Sequence, residues 1–261
     1  MQVHHAESIQ RVTECFQHDP EVRALLLGGS IAHGFETPAS DIDILILVAD
    51  EDYNKRFAEN RIHFFNTELT TYKGGYVDGK YFTQSFLRQV IEKGSEPARF
   101  AFAGSQILFS KINGFEQEIL NAAKYPVKKK TEHIQRFYGQ FEAWHWYCGE
   151  ALQKGNRYLL GTSISKFILF SGRLILAHNE LLYPYHKWFL KVLEGANDKP
   201  ADLLDCIHDL NDNPNTENIE ALYEKVKSFR PWIAGDFNWS AQFMLDSELN
   251  WLDDKTPIDD L

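Results

Sequence analysis

Two short apolar runs, residues 22–27 and 42–48, frame the stretch that most constrains this chain: the first runs into Gly28-Gly29-Ser30 and the second opens within Asp41-Ile42-Asp43. Each run is short and bounded by turn residues, which is how a buried strand reads. The glycine pair lets the backbone approach a phosphate closely, and Ser30 opens a helical turn whose free N–H groups favour an anion. Residues two apart on a strand leave the same face, so Asp41 and Asp43 project together among Ile42, Ile44, Leu45, Ile46 and Leu47. Paired carboxylates repel unless a cation sits between them. A hard divalent cation such as Mg²⁺ takes oxygen ligands of this kind and rarely has an all-protein cage, so phosphate oxygens would complete its shell. Either half of the pattern alone is a common turn or strand start. The two together, each preceded by a strand, form a specific signal.

The flanking sequence supplies the rest of a sheet. Ile9, Val12 and Phe16 stand at helical spacing in residues 7–17, and Asp19-Pro20 ends that helix. Residues 61–65 and 76–83 are strand candidates rich in β-branched and aromatic side chains. Residues 86–93 read as a helix stopped by Gly94, and 106–109 as another strand. From about residue 131 the chain changes character. Ile134, Phe137, Phe141, Trp144 and Cys148 begin a series of long amphipathic helices, a second helix spans about 157–180, and a third follows Pro184. After a polar break at 211–215, Ile219, Leu222, Val226 and Phe229 mark one more. The expected fold class is α+β, with a mixed sheet in residues 1–125 and a helical bundle in residues 126–261. Lys128-Lys129-Lys130 at the junction reads as a solvated linker, and the acidic residues 253–260 as a frayed end.

Charge and cysteines narrow the partners. Lys plus Arg is 27 and Asp plus Glu 37, a net charge of −10, which disfavours a nucleic-acid partner because phosphate neutralisation needs an excess of bases. The same balance suits a cationic small molecule. Cys15, Cys148 and Cys206 are scattered, without a CxxC pair, so neither a zinc site nor a disulfide framework is expected. No signal peptide is evident and no uninterrupted apolar stretch is long enough to span a bilayer, so the expected location is the cytoplasm. Trp144, His145 and Trp146 could stack a ring, although helix packing is the commoner use of tryptophan. His33 and His145 lack a partner at metal-ligand spacing and read as structural.

Gly29-Ser30, a gap of about a dozen residues, then Asp41-Ile42-Asp43 resembles the signature of the DNA polymerase β-like nucleotidyltransferase superfamily, over roughly the first 110 residues. That resemblance implies a small sheet with flanking helices, two Mg²⁺ ions, and a third carboxylate on a neighbouring strand. Asp78, on a strand candidate between aromatic residues, fits that role best, with Glu68 as the rival. The implied metal set is Asp41, Asp43 and Asp78, with Gly28, Gly29 and Ser30 holding the triphosphate and Asp78 also placed to act as base. The helical second half resembles the antibiotic-modifying branch, which adenylylates aminoglycosides or lincosamides. By that likeness Arg173 and Lys187 would reach the nucleotide phosphates, although His186 stands where that branch has Ser before the Lys. The implied reaction is transfer of a nucleoside monophosphate, with ATP the expected donor, to a hydroxyl of a small acceptor. The alternatives are a protein-modifying, toxin-neutralising transferase and a degenerate nucleotide-binding module. Acceptor, base and oligomeric state stay open.

Overall fold

The computed structural model describes residues 1–253, so residues 254–261 of the acidic end lie outside the described residues. The chain divides into two compact units, Met1–Tyr125 and Pro126–Leu261.

The first unit is built on a five-stranded mixed sheet. In chain order it contains α1 (Val3–Gln17), β1 (Val22–Leu27), α2 (Gly29–His33), β2 (Ile42–Val48), α3 (Asp50–Ala58), β3 (His63–Asn66) and β4 (Val77–Thr83). Then follow α4 (Gln84–Lys93), α5 (Glu96–Phe100), β5 (Gln106–Ser110) and α6 (Phe115–Ala122). The strand order is β3-β4-β2-β1-β5. β1 pairs antiparallel with both β2 and β5, β3 pairs antiparallel with β4, and β2 and β4 are parallel. A parallel pair needs a crossover, and α3 with β3 supplies it.

Alternation along the strands divides the core between the two sheet faces. On one face Val22, Leu25, Leu27, Ile42, Ile44, Ile46 and Val77 meet Ile9, Val12 and Phe16 of α1. On the other, Ala24, Leu26, Leu47 and Phe82 meet Leu87 and Val90 of α4 and Phe115 and Ile119 of α6. This second face is covered by apolar residues only toward the C-terminal end of β2. At its other end the same face carries Asp43 and Asp78, both half-buried. Local signals fix the covering helices: the Thr83 side chain accepts from the Phe86 N–H to start α4, and Ser95 does the same for α5 from Ala98.

The second unit is helical. Its long helices are α7 (Lys130–Gln153) and α8 (Arg157–His178), followed by α9 (Phe189–Glu194), α10 (Leu203–Asp212), α11 (Thr216–Lys227) and α12 (Trp239–Phe243). Phe141 of α7 stacks on Phe167 of α8 and Tyr223 of α11, with ring centroids 5.4 and 5.3 Å away. By length and composition alone α8 could cross a membrane, although Lys166 and Arg173 interrupt its apolar run. Its Phe167, Leu174, Ile175 and Leu176 are buried within the unit's own core, the pattern of a central helix in a bundle. The lysine run is no solvated linker throughout. Lys128 and Lys129 are exposed, but Lys130 Nζ donates to Glu180 Oε1 at 2.8 Å and to the His178 carbonyl at 2.9 Å, tying the start of α7 to the end of α8.

Candidate active site

The site begins at the end of β1. Gly28 donates its N–H to the Asp43 carbonyl at 2.9 Å, continuing the β1–β2 pairing one residue past the strand. Gly29 then takes φ +60°, which carries the chain sharply into α2. Two constraints demand glycine here. The left-handed backbone disfavours any Cβ, and a Cβ would lie 1.7 Å from Asp43 Oδ2. The Asp43 carboxylate is thus packed against the α-carbon of the turn. Ser30 follows with only 4% of its surface exposed, and its Oγ has no hydrogen-bond partner among the described residues. A buried hydroxyl is normally satisfied, and this one has hydrogen-bonding capacity to spare for a ligand at the turn.

Asp43 and Asp78 are direct partners in the parallel β2–β4 pairing, and both side chains leave the same face. Asp41 stands just before β2, in the loop that returns from α2. That loop is pinned from outside: Tyr72 donates its hydroxyl to the Ser40 carbonyl, and His4 Nε2 lies 2.9 Å from the Pro38 carbonyl. Glu68 stands exposed in the loop after β3, its backbone N–H held by Asn66 Oδ1 at 2.8 Å. Of the two candidates for a third acid, Asp78 is the one the sheet places beside Asp43.

Two residues join this cluster that the sequence reading passed over. The Tyr76 hydroxyl is raised above the usual phenol range, first by the charge of Asp41, then by its hydrogen bond to Asp41, with burial and the charges of Asp43 and Asp78 adding to it. One phenol therefore lies in the field of all three carboxylates. His63 Nε2 is 3.1 Å from Asp78 Oδ1. A period-two reading was available for Tyr76, since Tyr76 and Asp78 are alternate residues, but His63 depends on the β3–β4 register, which no local pattern specifies.

Whether these residues suit a metal is a matter of donor chemistry. Among the described residues no group of three or more His, Cys, Asp or Glu side chains converges in a form that could hold a metal ion. The donors present are nonetheless carboxylate oxygens, with the unpartnered Ser30 hydroxyl in the adjoining turn, and oxygen donors suit a hard cation with phosphate.

The remaining candidates have the following local surroundings. The His33 ring sits edge-on to Phe100, with centroids 4.4 Å apart, and burial holds its pKa below the usual histidine range. Arg173 and Lys187 belong to the second unit. The Arg173 guanidinium lies over Phe137 and Tyr183, at 4.2 and 4.4 Å from the ring centres, and Lys187 is exposed with Nζ 5.2 Å from the Trp188 ring centre. Trp144 packs in the bundle and donates to Gln140 Oε1 at 2.9 Å. Trp146 is half exposed. It lines, with His145, Glu142, Glu150, Glu220 and Trp239, a cavity of about 320 Å³. His145 is held there by stacking on Tyr223 at 3.8 Å and by Glu220.

Residues 10–94 match the family model described as polymerase beta, nucleotidyltransferase, a span that contains the Gly29-Ser30 turn and all three aspartates. A nucleotidyltransferase-like protein from Exiguobacterium sibiricum 255-15 aligns at TM-score 0.47 and 10% identity, over 98% of this chain and 83% of that one. No curated protein matches.

Proposed function

With a polymerase β-type nucleotidyltransferase domain at its N-terminus, we propose that this protein transfers a nucleoside monophosphate, AMP from ATP, to a hydroxyl of a small acceptor and releases pyrophosphate. The observation that carries the proposal is the contact between Asp43 and the Gly29 α-carbon, beside the buried, unpartnered Ser30 hydroxyl. It puts the glycine turn, which this reading assigns to phosphate, directly against one of the carboxylates.

Under this proposal the turn and the Ser30 hydroxyl bind the triphosphate, and Asp41, Asp43 and Asp78 would hold two Mg²⁺ ions. When bound, the ions supply positive charge to the phosphate oxygens and to the acceptor hydroxyl. Asp78 accepts the hydroxyl proton as the acceptor oxygen bonds to the α-phosphorus and the bond to the pyrophosphate oxygen breaks. Tyr76, donating to Asp41, keeps that carboxylate oriented toward the site. Arg173 and Lys187 add phosphate contacts in the same proposal, and Lys187→Ala should raise the nucleotide KM. The acceptor is a small, cationic molecule, consistent with the net charge of −10, and the reaction takes place in the cytoplasm.

Thermal unfolding with Mg²⁺ and each of ATP, GTP, CTP and UTP tests the reading, on wild type and Asp43→Asn. A nucleotide at a hundred times its Kd adds about 2.7 kcal/mol, a midpoint rise of several degrees. A rise that needs Mg²⁺, differs among the bases and vanishes in Asp43→Asn supports the proposal. Absence of any shift at millimolar nucleotide sinks it, and binding without pyrophosphate release would leave a degenerate binding module.

A further inference from the structure

The β-sheet register aligns the site in one row across four adjacent strands. Gly28 bonds to Asp43, Asp43 is the partner of Asp78, and Asp78 is the partner of Phe65 on β3. Direct partners project from the same face, so the row continues past the carboxylates onto an aromatic ring. Phe65 is 58% exposed, an unusual place for a phenylalanine on an edge strand, which sequences normally blunt with charge. It does not stand alone. The Tyr76 ring lies 5.3 Å from it and the His63 ring 6.5 Å, centre to centre, and these same two side chains reach Asp41 and Asp78. Three rings therefore form a wall along the outer side of the carboxylates.

The chemistry assigns this wall to one reactant. In-line displacement puts the attacking oxygen and the leaving pyrophosphate on opposite sides of the α-phosphorus. The turn that receives the phosphates follows β1, whereas Phe65 lies on β3, three strand spacings or roughly 14 Å away with the carboxylates between. We infer that Phe65, flanked by Tyr76 and His63, is the stacking platform for the acceptor, and that the acceptor is a ring-bearing alcohol whose ring rests on Phe65 while its hydroxyl reaches Asp78. This rests on the nucleotidyl-transfer reading above. The carboxylates beside the rings favour an acceptor that also carries an ammonium group.

Saturation-transfer NMR on the full chain tests it, with Mg²⁺, α,β-methylene-ATP, and two probes that carry a ring, a hydroxyl and an ammonium: tyramine and glucosamine. In wild type the ring protons of at least one probe receive saturation. Phe65→Ala weakens that probe's binding about tenfold, Phe65→Tyr retains it, and the nucleotide signal is the same in all three proteins. Unchanged nucleotide binding in Phe65→Ala also certifies that the variant is folded. If wild type binds nucleotide but neither probe, or if Phe65→Ala binds the probe as well as wild type, the platform is overturned and the transferase reading stands. If wild type binds no nucleotide, the transferase reading falls and the platform with it.

Discussion

Gly29 and Ser30 make opposite predictions although they are neighbours. Gly29→Ala must accept both φ +60° and a Cβ 1.7 Å from Asp43 Oδ2, so it should cost about 1–3 kcal/mol of stability by urea unfolding and abolish measurable transfer. Ser30→Ala removes a buried hydroxyl that has no partner among the described residues, and such groups cost about 1–3 kcal/mol to bury. The variant should therefore melt at or above the wild-type temperature while its nucleotide KM rises. A Ser30→Ala protein that is less stable and equally active would show the hydroxyl to be structural. The third acid separates by rate: Asp78→Asn should lower kcat by about 10²–10⁴, and Glu68→Gln should leave it essentially unchanged in a pyrophosphate-release assay. The aspartate pair and the turn were legible in the sequence because they are local: strand alternation and a glycine pair announce themselves within a few residues. Tyr76, His63 and Phe65 join the carboxylates only through strand register, and register is set by the pairing of distant segments.

At the scale of elements, the strands and the long helices follow their apolar periodicity closely, while α3, α5, α6, α10 and α12 were not anticipated. The failure has a visible cause in α3, which buries none of its residues and so carries no apolar stripe to read. α6 and α10 are short, and their buried residues are few: Phe115, Ile119 and Ala122 in one, Leu203, Ile207 and Leu210 in the other. Within the second unit, α8 meets α9 across Gly172, where an added Cβ would lie 2.3 Å from the Phe189 ring. Gly172→Ala should destabilise by about 1–3 kcal/mol through overpacking, despite alanine's higher helix propensity. Urea unfolding followed by helical circular dichroism checks the sign. A stabilised variant would mean that Phe189 repacks at no cost.

For the whole molecule, pH should act through the buried His5 and the partly buried His33. Burial lowers the pKa of His33, and burial together with the charge of His4 lowers that of His5. The unfolded chain, with histidine near its usual value of about 6.5, then binds protons that the folded chain does not. Stability from both residues is present above that pH and is lost as pH falls through it. The melting temperature should decline from pH 7.5 to 5, and the decline should be shallower in His33→Leu. The division into two units, each with its own core, gives such variants a local meaning, since His33 and His5 both lie in Met1–Tyr125.

The parallel pairing of β2 with β4 has one more consequence, for how the molecule comes into being. Asp43 and Asp78 are separated in the chain by α3 and β3, and they become neighbours only when that crossover closes. Non-local parallel pairing is the slow class of folding event, since loop-closure entropy is lost before any contact rewards it. A chain that has collapsed and formed its helices but not this ladder holds every candidate residue and no assembled site. Regain of turnover during refolding is therefore a clock for the β2–β4 ladder, and compactness alone tells nothing about it.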